Sequence, residues 1–181
     1  HFANLEYYNE LIKKNPTQAD LYYKRGLQYA SLQDVENAIN DFSMTISLDN
    51  NFTLAYYCRA TNRSKKLDYL GTTDSENGPN IRKNELLLLL RDYNRVIELQ
   101  ADFPFVWYNR ANFYARNKEF SKAISDYSEA IRLYPDLAEA YFNRGLIYVF
   151  IGENEKGITD LSKAGELGLY QTYNFIKRFT K

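Results

Sequence analysis

The chain has 181 residues, and 23 Lys and Arg balance 23 Asp and Glu, so its formal net charge is zero. That balance argues against a dominant nucleic-acid or membrane-surface role, which needs a clustered basic field. The one cysteine, Cys58, excludes a disulfide framework, and no run of about 18 apolar residues is present to span a bilayer.

The chain begins at His1, inside a helical pattern and without Met. Within residues 3–18, the stretch Ala3–Lys14 (ANLEYYNELIKK) reads as one helix, stopped at Asn15-Pro16. This is expected to be the second helix of a hairpin whose first helix lies upstream in a longer protein. Its apolar face would then be open, possible ground for self-association. Residues 19–52 form a whole hairpin. Tyr22, Gly26 and Tyr29 share one face of its first helix, Asp34 marks the turn, and Ala38, Phe42 and Thr45 share a face of the second.

Residues 53–103 open in the same way, with Tyr56 and Ala60, and then lose the period. Gly26 to Ala60 is 34 residues and Ala111 to Gly145 is 34, but Ala60 to Ala111 is 51, an excess of 17. The excess is placed at about 67–83. Gly71–Pro79 has loop composition, and the apolar residues Leu67, Tyr69 and Leu70 suit an extension of the preceding helix. A helix is expected to resume at Leu86–Leu90 and to run through Asp92, Tyr93 and Val96. Five leucines cannot share one helix face, so one or two are expected to pack on the insertion.

Residues 104–137 give the pattern in full: Trp107, Ala111 and Tyr114 on the first helix, Ala123, Tyr127 and Ala130 on the second, then Pro135. Residues 138–168 repeat it, with Gly152 at the turn and Gly157 where Ala123 stands. Residues 169–181 read as a capping helix with Tyr173, Ile176 and Phe179 on one face. Solenoids need such soluble ends.

A 34-residue period that runs aromatic, small, aromatic, then Ala, aromatic, Ala and Pro resembles the tetratricopeptide repeat. The resemblance covers nearly all of residues 3–168. The departures are Arg63 where an aromatic is usual, Thr45 and Val96 where Ala is usual, and the insertion. The resemblance implies an all-α fold over 1–181: antiparallel helix pairs stacked in a right-handed superhelical solenoid. The first helices would line a concave groove that binds peptides or protein segments. By that geometry the groove residues are Tyr23 and Leu27, Tyr57 and Thr61, Tyr108 and Asn112, and Phe142 and Leu146. Ser31, Lys65, Arg116 and Phe150 would follow one turn on.

Such a ladder would suit an extended peptide, with Asn112 bonding its backbone and Lys65 and Arg116 taking a carboxylate. The alternative is that the rings pack against neighbouring repeats. The carboxylate clamp found in chaperone-binding relatives is incomplete here: Tyr23 and Leu27 stand at Lys and Asn positions, and Tyr108 replaces the Lys beside Asn112 and Asn143.

Each repeat also carries an Arg just before the small residue (Arg25, Arg59, Arg110, Arg144) and an Asp before the second-helix aromatic or its equivalent (Asp41, Asp92, Asp126, Asp160). An array of anion sites and a repeated structural ion pair are both open. The second demands less, because chemistry rarely needs four identical sites.

No catalytic, metal or cofactor site is expected. His1 is the sole histidine, Cys58 has no histidine partner, and the stretch with Asp74 and Glu76 lacks the Ca²⁺-loop rhythm. The expected role is a non-enzymatic module that binds a peptide or protein segment, with no nucleic acid and no membrane insertion. The alternative is a structural scaffold in a larger protein, contacting partners through the insertion or the N-terminal face. The compartment stays open, with a cytoplasmic setting slightly favoured.

Overall fold

The computed structural model describes residues 2–70 and 78–179. Among them are helices and turns and no strand. In chain order the helices are α1 (Phe2–Lys14), α2 (Ala19–Ser31), α3 (Val35–Leu48), α4 (Thr53–Leu70), α5 (Gly78–Leu99), α6 (Pro104–Arg116), α7 (Phe120–Leu133), α8 (Ala138–Phe150), α9 (Asn154–Glu166) and α10 (Thr172–Phe179). They divide into two compact units, α1–α5 and α6–α10, with the division after Gln100. In the first unit α2 pairs with α3 and α4 with α5, while α1 packs on α2 and α3 on α4. In the second α6 pairs with α7 and α8 with α9, α7 packs on α8, and α10 closes on α9.

Each hairpin is drawn tight by its small residues. Ala38, Ala60, Ala111 and Ala123 have no exposed surface, and the large rings Phe42 and Tyr127 are buried beside them. At Gly26 there is no room for more: a Cβ there would stand 2.8 Å from the Phe42 ring and 3.2 Å from Asp41 Cβ. α8 and α9 also approach closely. A Cβ on Gly157 would lie 2.9 Å from the carbonyl oxygen of Gly145, so helix backbone meets helix backbone.

Four turns have one construction. Gln33, Lys118, Gly152 and Gly168 adopt positive φ of 61°, 60°, 88° and 106°. The next amide donates to a carbonyl of the preceding helix in each: Asp34 to Tyr29 at 2.9 Å, Glu119 to Tyr114 at 2.9 Å, Glu153 to Tyr148 at 2.8 Å and Leu169 to Ala164 at 3.0 Å. This is the Schellman closure of a helix end. Asp34 then caps α3, accepting from the Asn37 amide. The first-helix aromatic ties down the incoming chain. Tyr22 donates to Pro16 O at 3.0 Å, Tyr56 to Asn50 O at 3.2 Å and Trp107 to Ala101 O at 2.9 Å.

The insertion differs from expectation. α5 starts at Gly78, not near Leu86, with Pro79 in its first turn, where a missing N–H costs nothing. α4 has 18 residues against 13 in α2, and α5 has 22 against 14 in α3. Most of the 17 extra residues therefore lengthen the two helices, and the remainder lies in the connection. Of the expected loop Gly71–Pro79, residues 71–77, with Asp74 and Glu76, lie outside the described residues. The five leucines do divide between faces. Leu89 is fully buried, Leu86 and Leu90 are half-buried, and Leu87 and Leu88 face solvent.

α10 begins at Thr172, 34 residues after Ala138, so it continues the first-helix register. Of the face expected of Tyr173, Ile176 and Phe179, Tyr173 lies with Thr172 against Gly165, where a Cβ would meet Thr172 Oγ1 at 2.7 Å, and Ile176 is half-buried; the Phe175 ring, not expected there, packs on Phe142 at 5.7 Å. The side chain of Phe179 lies outside the described residues.

Candidate functional site

The four arginines and four aspartates come together as four bidentate pairs. Arg25 Nε and Nη2 donate to the two carboxylate oxygens of Asp41 at 2.8 and 2.7 Å. Arg59 does the same to Asp92 at 2.9 and 2.6 Å, Arg110 to Asp126 at 2.6 and 2.8 Å, and Arg144 to Asp160 at 2.7 and 2.8 Å. The aspartates are all buried. The remaining arm of the guanidinium reaches the preceding second helix in three pairs. Arg25 Nη1 bonds Asn9 at 2.8 Å, Arg59 Nη1 bonds Ser43 at 3.1 Å and Arg144 Nη1 bonds Ser128 at 2.8 Å.

Aromatic faces complete the cage. Arg110 lies over Trp107 and Tyr114, with its guanidinium 4.9 and 5.8 Å from the ring centres, and Arg144 lies over Tyr141 and Tyr148. Arg25 is held still more firmly protonated than usual, first by its hydrogen bonds to Asp41. Both carboxylate oxygens of each aspartate, and Nε and Nη2 of each arginine, are spent inside the fold, which is the chemistry of a fastener rather than of an anion receptor.

On the first-helix face of the first unit, Tyr23 is enclosed. Its ring packs on Phe42 and Phe52 at 5.9 and 4.8 Å, and its hydroxyl lies 3.9 Å from Cys58 Sγ. Burial, with Cys58 beside it, pushes the Tyr23 phenol up to about 12. Thr61 donates back to Cys58 O. Tyr57 is half-buried, and Leu27 and Lys65 are exposed.

The same face of the second unit carries a polar network. Tyr127 O–H donates to Asn112 Oδ1, and Asn143 Nδ2 donates to Asn112 Oδ1 at 3.0 Å and to the Tyr108 hydroxyl at 3.3 Å. Burial raises the Tyr127 phenol, so it remains a donor. Asn112 is thus gripped by its oxygen, which turns its amide nitrogen away from these partners. Phe142 lies under Phe175, Leu146 is half-buried, Arg116 is exposed, and Phe150 is 73% exposed with its ring against Phe120.

Residues 104–137 and 138–167 each match the tetratricopeptide repeat family. The chain is a tetratricopeptide-repeat protein. Proteins of this kind are protein-interaction modules. No curated protein matches its sequence. Its fold is similar to that of MamA, with a TM-score of 0.76 at 21% identity over 93% of this chain and 89% of MamA. It is also similar to TTC0263, a thermophilic repeat protein of Thermus thermophilus (TM-score 0.70, 15% identity, 96% of this chain and 87% of that one). A more distant likeness is to YrrB, a repeat protein with an unusual peptide-binding site (TM-score 0.50, 18% identity, 94% and 97% covered).

Within this tetratricopeptide-repeat protein the second repeat is chemically distinct. Arg63 stands at the aromatic position, so Arg59 has only Tyr56 beneath it. Arg63 Nη1 approaches Asp92 at 3.3 Å and its Nε approaches Glu85 at 3.7 Å. Burial pulls the Arg63 pKa down, against the pull of Asp92 in the other direction. Lys66 joins Glu85 at 3.0 Å to Glu36 at 2.9 Å. Glu85 and Lys66 escape sequence reasoning, because neither occupies a signature position. The one available signal is Arg63 itself, an aromatic exchanged for a cation that then needs carboxylates nearby.

Proposed function

We propose that the first-helix faces of the repeats bind an extended peptide segment of a partner protein. The observation that carries this reading is Asn112. Tyr127 and Asn143 hold its carbonyl oxygen, so its amide nitrogen is oriented before any ligand arrives, and a fixed donor loses little entropy on binding. In the first unit exposed Leu27 offers apolar area and Lys65 charge for a carboxylate; in the second, exposed Phe150 and Arg116 offer the same. The likeness to YrrB, which has a peptide-binding site, agrees with the class of ligand.

The test is capture of partners from the source cell's lysate by the parent and by a Tyr108→Ala/Arg116→Glu variant with unchanged helical circular dichroism. The reading expects a partner held by the parent and lost by the variant. Equal capture by both would refute it and return the chain to a scaffold role. Self-association through the outer face of α1 is a separate proposal, read by the sedimentation of the chain alone.

A further inference from the structure

The repeats supply their own comparison for the clefts beside the Arg–Asp pairs. In the fourth repeat the cleft at Arg144 and Asp160 holds about 360 Å³ and is bordered by Tyr148, Glu155, Lys156 and Thr159. In the second repeat the cleft at Arg59 and Asp92 holds about 810 Å³. The residue in place of Tyr148 is Arg63, and those in place of Glu155, Lys156 and Thr159 are Leu87, Leu88 and Arg91. A ring has become a cation, and a polar rim has become apolar and basic.

Leu87 and Leu88 are 59% and 37% exposed. Arg63 is 8% exposed, yet its Nε and Nη1 make no hydrogen bond. Both oxygens of Asp92 are already bonded to Arg59. The buried carboxylates of this region are thus absorbed internally. At the mouth of the cleft Arg95 is paired with Glu98 at 3.0 Å, and both line it together with Arg91, so Arg91 is the cation there that no carboxylate of the cleft neutralises.

We propose that this cleft is a second docking site. It takes a short acidic segment of a partner protein in which a carboxylate side chain neighbours a large apolar one. The apolar side chain rests on Leu87 and Leu88, and the carboxylate faces Arg91 at the mouth above Arg63, beside the Arg95–Glu98 pair. Charge complementarity selects the acidic segment. The recess selects a protruding side chain over a lipid surface, because a flat bilayer cannot enter a concave cleft. The cleft uses Tyr56, Arg59 and Arg63 of α4, not its groove residues Tyr57, Thr61 and Lys65, and the proposal stands independently of the function read there.

The full chain is titrated with a fluorescein-labelled, end-blocked peptide, Glu-Leu-Glu-Glu-Leu, followed by anisotropy. The same peptide with lysine for glutamate and vesicles of phosphatidylserine in phosphatidylcholine serve as the other arms. The expected result is saturable binding of the acidic peptide that weakens with added salt. A Leu88→Glu/Arg91→Glu variant, changed only at exposed positions, should lose about tenfold or more in affinity. Arg63→Tyr, which restores the aromatic of the sibling repeats, should weaken binding with the fold retained. Tyr108→Ala/Arg116→Glu should bind as the parent does. Several outcomes would overturn the proposal: no binding, equal affinity for the lysine peptide, no effect of the Leu88/Arg91 substitutions, a loss in the Tyr108/Arg116 variant, or binding to vesicles alone.

Discussion

At the scale of single residues, the clearest device is the Arg–Asp clasp. Arg144 and Asp160 are 16% and 8% exposed, so removing one partner strands the other in a poor solvent. Arg144→Met should destabilise the chain by about 3–5 kcal/mol. Arg144→Met/Asp160→Leu should recover much of that. Urea unfolding checks both, and a loss under about 1 kcal/mol in the single variant would mean the pair behaves as a surface ion pair. The opposite sign is expected at Lys118, which holds a left-handed φ of 60° at a Schellman turn. Glycine occupies that geometry without the Cβ penalty and already does so in the fourth repeat at Gly152. Lys118→Gly should stabilise by about 1 kcal/mol, read as a rise in Tm.

At the scale of elements, α10 behaves as a displaced first helix. It takes the 34-residue register, covers α9 and lays Phe175 on Phe142. One flaw sits at its start: Thr172 is fully buried and its hydroxyl makes no hydrogen bond. Thr172→Val keeps the shape and removes the unpaired group, so it should raise stability by about 1 kcal/mol. A fall in the unfolding midpoint would show that the hydroxyl has a partner. The insertion follows a different logic. Its leucines alone cannot say which turns of helix they extend. The answer came from α4 and α5 lengthening together, with Arg82 Nη1 donating to Leu67 O at 3.0 Å across the pair.

At the scale of the molecule, α6–α10 form a compact unit with a core of Ala111, Ala123, Tyr127, Ala130, Leu137, Ala140 and Ile147. Repeat arrays are stabilised by neighbour contacts alone. A fragment of residues 101–181 should therefore fold by itself, with a helical far-ultraviolet spectrum and one cooperative thermal transition. A non-cooperative melt would show that its core depends on the rest of the chain. In the same unit, removing residues 169–181 uncovers Phe142 and Gly165, and association on size exclusion should follow.

The sequence by itself determined what depends on spacing along a helix. The 34-residue period locates the small residues, because only residues at fixed intervals can face a closely packed neighbour. It also locates the clasps, which recur at 16 residues in three hairpins and at 33 in the one that carries the insertion. What only tertiary structure decided depends on distances across helices. Asn112 was legible as a face position, but its capture by Tyr127 and Asn143 was not. Which of the five leucines lie inside was open until the course of α5 buried Leu89 and turned Leu87 and Leu88 outward. Arg63 read as a local oddity until Asp92, Glu85 and Lys66 were found around it. Periodicity reports which side of a helix a residue occupies; what stands opposite depends on packing between segments far apart in the chain.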